Sequence, residues 1–409
     1  MGYNELFKEA KMKFYHGKSS DIFNMTYIKE FDFVSKSHYY LPGNSKYHCI
    51  KHNLDFESDF DYRNNTGNFG NLIDISDIDI PENKFFKYKI YFPKESIKSN
   101  KVIILFHGFN EKDWDKYLIW AESICEKTQS AVVLFPIAFH MQRAPKFWSN
   151  NREMYNLSTQ RAEKYTNIAN SSFSNAAIST RIHKMPQRFV WSGLQTYYDV
   201  IQLIEEFKNG KNRFIDKDFE LNLFGYSIGG FLAQILKLSN YKNYFTNSKV
   251  CLFCSGATFN RYSPASKFIL DSEANVAMYS YYVEHFDSIL KKDKFLNHYI
   301  TQNHVEGEVF YAMLDFGKKR EFRESLLKKF ENDFYAITLK KDTIIPPFEI
   351  INTLNGAYRN IKIKIDEIDF NREYIHENPF PNTELQSNQI SEDFDSLFYK
   401  INDFFIKKS

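Results

Sequence analysis

Cysteine is scarce in this chain. The 409 residues hold four, Cys49, Cys125, Cys251 and Cys254, too few and too scattered for a disulfide framework. Cys251 and Cys254 form a C-x-x-C inside Lys249-Val250-Cys251-Leu252-Phe253-Cys254, a run with strand character. An i, i+3 pair on a strand points to opposite faces and cannot close on one metal, so both are expected as core residues. Charge of one sign is missing too. Lys+Arg number 53 against Asp+Glu 51, a formal charge of +2 with no basic block, which leaves nothing to attract nucleic acid or an anionic membrane surface. Long apolar runs are absent: the longest, residues 131–139, is too short to span a bilayer. Met1-Gly2-Tyr3-Asn4-Glu5-Leu6-Phe7 lacks the apolar stretch of a secretory signal and the Ser/Thr that myristoylation needs. A cytoplasmic, reduced protein is therefore expected. No metal set stands out, because the 11 histidines are dispersed and His298/His304 lack the spacing of a helical ligand pair. No phosphate loop or dinucleotide fingerprint occurs, since position 227 is Ser where G-x-G-x-x-G needs glycine. The expectation is an absence of metal and cofactor.

What is present is globular. Hydrophobic residues make up 43% and charged residues 25%, so a large core, in one elaborated domain or two, can form. The aromatic share of 18%, with 41 Phe and 27 Tyr, reads as codon bias in a Lys-, Asn- and Ile-rich chain. Residues 1–72 have weak periodicity and include the loop-like Asn64-Asn65-Thr66-Gly67-Asn68-Phe69-Gly70; they are expected as an N-terminal extension packed on the core. Residues 85–93 alternate as a half-buried strand. Buried strands are then expected at 102–106, 131–135, 221–224, 250–254, 334–339 and 361–365. Helices are expected from about Asp113 (with Trp114, Leu118, Ala121 and Cys125 on one stripe), over 191–207, over 228–238 and after Ser391 as N-cap. Repeated βα units of this kind predict an α/β fold with a mainly parallel sheet and helices on both faces.

The sharpest signal is Gly225-Tyr226-Ser227-Ile228-Gly229-Gly230, between a predicted strand and a predicted helix. With only 15 glycines in the chain, a chance G-x-S-x-G is uncommon, although tight βα turns alone also select glycine. A serine on such a turn stands exposed above the sheet beside a helix N-terminus. Three further strand ends carry polar residues. Phe106-His107-Gly108-Phe109-Asn110 follows one strand, Asp342 in Lys341-Asp342-Thr343-Ile344-Ile345-Pro346 follows a late one, and His376 follows the last. Together these four segments resemble the α/β-hydrolase superfamily, in the chain order Ser227, Asp342, His376 that this fold uses. The resemblance covers residues 85–147, 188–257 and 331–409 and suggests a bacterial branch with a cap insertion.

The resemblance implies Ser227 as nucleophile, His376 as base and Asp342 as the acid that orients it. It also implies an oxyanion hole from the backbone amides of Phe109 and Ile228, with His107 structural. Asp366, Glu367 and Asp369 are rival acids on or beside the last strand. The expected organisation is extension (1–72), core (73–147), insertion or cap (148–187), core with the nucleophile elbow (188–257), helical cap insertion (258–330) and core (331–409). Arg143 and His140, leaving a strand end, and Tyr226 beside the serine are the candidate substrate-binding residues. For Arg143 an intramolecular salt bridge is the competing expectation. The function implied is a serine esterase acting on a small or medium acyl substrate. An amidase, a peptidase, an acyltransferase or a non-catalytic binding protein on the same fold remain open, as does the oligomeric state.

Overall fold

A computed structural model describes residues 2–17, 25–57, 73–94, 96–301, 304–384 and 386–407. Its strands are β1 (Thr26–Val34), β2 (Lys46–Cys49), β3 (Leu54–Glu57), β4 (Phe85–Pro93), β5 (Ser99–Phe106), β6 (Ala131–Leu134), β7 (Ile215–Tyr226), β8 (Val250–Phe253), β9 (Phe334–Leu339) and β10 (Lys364–Ile368). Strands β2 and β3 form a separate hairpin, and the other eight form one sheet in the order β1-β4-β6-β5-β7-β8-β9-β10. From β6 to β10 every pairing is parallel, whereas β4 runs antiparallel to both β6 and β1.

The continuous apolar runs explain why the sheet is covered on both sides. Along β5, Val102, Ile104 and Phe106 enter one core with the helices Arg188–Lys208 and Ile228–Ser239. Ile103 and Leu105 enter the other, with the helices Tyr3–His16, Asp115–Thr128 and Ser387–Ile406. The strand order, with β4 antiparallel to both neighbours, a parallel sheet beyond it and helices on both faces, is the arrangement of an α/β-hydrolase fold. No helix among the described residues is long and apolar enough to cross a membrane.

Several expected boundaries move. The last strand is Lys364–Ile368, not 361–365; Ile361 and Ile363 are buried in the loop before it, so their alternation marked packing and not pairing. Strand β7 starts six residues before its apolar stretch, and the helix expected over 191–207 spans Arg188–Lys208. The helix after β5 runs Asp115–Thr128, with Trp114 at its N-cap. Ser391 is no cap: it lies one turn inside Ser387–Ile406, where its hydroxyl donates to Ser387 O and accepts from Tyr3 N, both at 2.8 Å. The loop expected at 64–70 lies outside the described residues.

Segments from residues 1–72 take places in the main sheet and its covering. Strand β1 pairs with β4 over nine positions. The N-terminal helix is pinned by a buried ion pair, Lys13 to Glu122 at 2.9 Å. Within the two stretches expected as insertions, the helices Ala176–Lys184 and Ser272–Tyr279 pack together. Arg161 binds Asp271 through two buried hydrogen bonds of 2.7 and 2.8 Å between them.

Candidate active site

The sharp turn after β7 is built by close approach. Ser227 adopts φ 54°, ψ −124°, a conformation that costs a non-glycine residue about 1–3 kcal/mol. Its backbone N–H still reaches Phe253 O on β8 at 3.1 Å. The helix Ile228–Ser239 then starts against β5. A Cβ on Gly229 would fall 2.5 Å from Phe106 O and 2.6 Å from His107 O, and one on Gly225 would fall 2.4 Å from the Gly230 Cα. Bulk at either position would push the helix off the sheet.

Three strand ends converge on the serine. His376 Nε2 is 2.8 Å from Ser227 Oγ, and His376 Nδ1 is 2.7 Å from Asp342 Oδ2. A carboxylate can only accept, so Nδ1 carries the hydrogen and Nε2 presents its lone pair to the serine hydroxyl. Asp342 is held in turn: its Oδ1 accepts from the backbone N–H of Ile344 and of Ile345, each at 2.9 Å. All three side chains are buried. Of the rival acids, Asp366 accepts from Tyr335 and Lys400 and Asp369 from Tyr374; Glu367 lies on β10.

Tyr226 does not face a substrate. It is fully buried, its hydroxyl donates to the backbone O of His376, and its ring stacks on that imidazole at 5.6 Å. It therefore fixes the histidine loop from behind, because position 226 points away from the face that Ser227 shows. Cys254 also departs from expectation. Strand β8 ends at Phe253, and Cys254 turns with φ 48°, so its thiol lies beside Asp342 instead of on the face opposite Cys251. Burial pushes that thiol well above its usual range, which keeps it protonated.

The loop after β5 is equally fixed. His107 Nε2 accepts from Ile137 N at 2.9 Å, and its Nδ1 donates to Gly108 O at 2.7 Å. Burial depresses its pKa to about 3, so it is a neutral spacer. Gly108 N donates to Tyr117 Oη at 2.8 Å. Asn110, at φ 61°, donates through Nδ2 to Ser174 O and Phe268 O, at 2.9 and 2.6 Å, one carbonyl from each of the two stretches expected as insertions.

A small cavity lined by Ser227, Ile228, Phe109, Ile269 and Met278 opens at the serine. It shares Phe109, Phe189 and Ile228 with a larger apolar cavity running along Phe231, Leu232 and Phe310. His140 lines that larger cavity. Its Nδ1 donates to Ala138 O at 2.9 Å, its Nε2 has no hydrogen-bond partner among the described residues, and burial depresses its pKa to about 3. Arg143 is elsewhere. Expected at the pocket, it is wholly buried in an ion pair with Asp199 at 2.8 Å, with further bonds to Asn83 and Pro136 O. The guanidinium needs several acceptors once out of water, and this polar knot supplies them, so it meets no ligand.

The expectation that the histidines form no set needs correction. Cys49, His52, His298 and His304 bring one ligand atom each to within 4.8 Å of one another. His298 and His304 do not share a helix: the first lies in Lys294–Thr301, and the second caps Val305–Leu314. A test for i, i+4 spacing therefore missed them, and Cys49-x-x-His52 on the β2–β3 turn was the only sequence trace of the pairing.

In structure the chain is similar to a carboxyl esterase from the fungus Tuber melanosporum (13% identity, 78% of this chain and 81% of that one, TM-score 0.43). It is also similar to an esterase from the archaeon Pyrobaculum calidifontis (13%, 80% and 83%, 0.43) and to a thermostable esterase from Pseudomonas putida (12%, 80% and 81%, 0.41). Likeness this remote says nothing of substrate or mechanism. No curated protein sequence matches. The sequence does match a family model over residues 1–406, and the chain, an α/β-hydrolase in fold, accordingly belongs to the family of unknown function DUF6051.

Proposed function

We propose that this protein is a serine hydrolase that cleaves a carboxylic ester of a small or medium, largely apolar substrate through a covalent acyl-enzyme. The observation that carries this reading is the unbroken chain Ser227 Oγ···His376 Nε2 and His376 Nδ1···Asp342 Oδ2, at 2.8 and 2.7 Å, beside an apolar cavity. In this scheme Ser227 Oγ attacks the acyl carbon as His376 Nε2 takes its proton. The imidazolium gives that proton to the leaving alcohol, and water, deprotonated by the same nitrogen, releases the acid. Asp342 stays ionised and stabilises the imidazolium. The backbone N–H groups of Phe109 and Ile228 receive the oxyanion; such a donor typically contributes about 3–4 kcal/mol to the transition state. The walls formed by Phe231, Leu232 and Phe310 suit an aliphatic or aromatic acyl group. His140 Nε2, a bare acceptor, takes a hydrogen bond from a polar group on it.

The test is labelling with a fluorophosphonate probe, read by intact mass. Wild type should gain one adduct, absent from Ser227→Ala. A panel of acyl esters graded by chain length and charge should then favour uncharged chains. A folded wild type that gains no adduct would sink the proposal.

A further inference from the structure

The cluster of Cys49, His52, His298 and His304 brings four ligand atoms within reach of a single ion, all within 4.8 Å of one another. Cys49 Sγ lies 3.6 Å from His52 Nδ1 and 3.5 Å from His304 Nε2. His298 Nε2 lies 3.2 Å from His52 Nδ1 and 3.3 Å from His304 Nε2. Zinc bonds of about 2.0–2.1 Å to nitrogen and about 2.3 Å to sulfur, arranged tetrahedrally, give edges of about 3.3–3.4 Å between nitrogens and about 3.6 Å between sulfur and nitrogen. Four of the six edges match those lengths to within about 0.1–0.2 Å, and the other two, Cys49–His298 and His52–His304, lie within 4.8 Å.

The surrounding residues orient a lone pair inward. His304 Nδ1 is 2.8 Å from Glu306 Oε1, and that oxygen also accepts from Tyr198 Oη at 2.5 Å. The carboxylate fixes the hydrogen on Nδ1, so Nε2 faces the cluster with its lone pair; a carboxylate behind a ligating imidazole also raises its basicity. Cys49, His298 and His304 are buried. Without an ion these approaches are hydrogen bonds that each use one hydrogen, whereas a single cation between the four atoms would engage all of them at once.

We propose that these four side chains bind one zinc ion as a closed Cys-His₃ structural site. The donor set selects it: imidazole and thiolate suit zinc, whereas calcium and magnesium require oxygen ligands. Four protein ligands leave no open position for substrate or activated water. On binding, the Cys49 thiol releases its proton and zinc gains the thiolate, while the histidines bind as neutral imidazoles. The ion ties the β2–β3 hairpin to the cap helices Lys294–Thr301 and Val305–Leu314. Glu306 also lines the apolar cavity, so the ion fixes that cavity's far wall. The site stands independently of the proposed esterase activity, and its test uses no substrate.

Full-length protein, expressed with zinc in the medium and purified without a polyhistidine tag, should contain about one zinc per chain by elemental analysis. After chelation, cobalt(II) should restore one equivalent with the visible absorption of a tetrahedral ion and a thiolate-to-metal charge-transfer band. Cys49→Ser should lose that band. His52→Ala, which alters the most exposed ligand, should retain zinc at least about tenfold more weakly. A wild type with negligible zinc, whose chelated form yields no charge-transfer band with cobalt, would overturn the site. So would a band that survives Cys49→Ser, since the thiolate would then be another cysteine. Should Cys49→Ser fail to fold, the metal content and cobalt spectrum of the wild type still decide.

Discussion

Replacing Asp342 by Asn changes one atom, and the structure dictates where that atom goes. Oδ1 accepts from two backbone N–H groups, Ile344 and Ile345, at 2.9 Å each. Turning the amide to set its NH₂ against them would leave buried donors facing donors, at about 1–3 kcal/mol for each unsatisfied group. The carboxamide oxygen therefore occupies the Oδ1 position, and the NH₂ sits 2.7 Å from His376 Nδ1. That nitrogen must now accept, so the imidazole hydrogen moves to Nε2, where it points at Ser227 Oγ 2.8 Å away. A histidine in this tautomer cannot take the serine proton. In the Ser-His-Asp template the same change lowers kcat by about 10⁴, or about 5.4 kcal/mol of transition-state stabilisation. The assay is kcat/KM on p-nitrophenyl acetate together with the second-order rate of fluorophosphonate labelling. Circular dichroism melts should show that Asp342→Asn stays folded. A folded variant within about tenfold of wild type would refute the tautomer reasoning.

Three other outcomes follow from particular contacts. Arg143→Met should destabilise the fold by about 3–5 kcal/mol in urea titrations, because it strands the buried Asp199 carboxylate, while KM on the remaining folded enzyme stays unchanged; a raised KM with normal stability would return Arg143 to the pocket. His107 and His140 bind a proton near pH 3 when folded but near pH 6.5 when unfolded. The unfolded chain thus holds more protons between those values, and stability is lost as pH falls through that window. At pH 5 the loss is about 2 kcal/mol for each, about 4 in all; flat stability from pH 7 to 5 would contradict both burials. Gly229→Ala places a Cβ 2.5 Å from Phe106 O and should cost about 1–3 kcal/mol with loss of labelling, and an active, equally stable variant would show that helix and strand can separate freely.

The fold was legible because its central strands β6, β8 and β9 and most of β5 and β7 are buried on both faces. Apolar runs such as 102–106 and 131–135 need no partner information to be recognised. Legibility failed where a residue's role depends on a distant partner. Arg143 reads equally as a substrate ligand and as one arm of a salt bridge until Asp199, 56 positions later, is placed against it. Tyr226 reads as a pocket wall until the His376 carbonyl arrives behind it. Cys49 and His304 are 255 positions apart yet 3.5 Å from each other, and no local spacing encodes such a meeting. The strand expected at 361–365 failed differently, because burial and hydrogen-bonded pairing leave the same alternating trace.

Asn110 has a consequence for how such a protein could be remodelled. One carboxamide grips a carbonyl from each of the two stretches expected as insertions, Ser174 O and Phe268 O, and belongs to the loop that carries Phe109. Those two stretches are thus no exchangeable module. Foreign segments grafted in their place would have to return two carbonyls to the same side chain or let the loop after β5 relax. New pockets would therefore come more readily from changing side chains within these stretches than from swapping them.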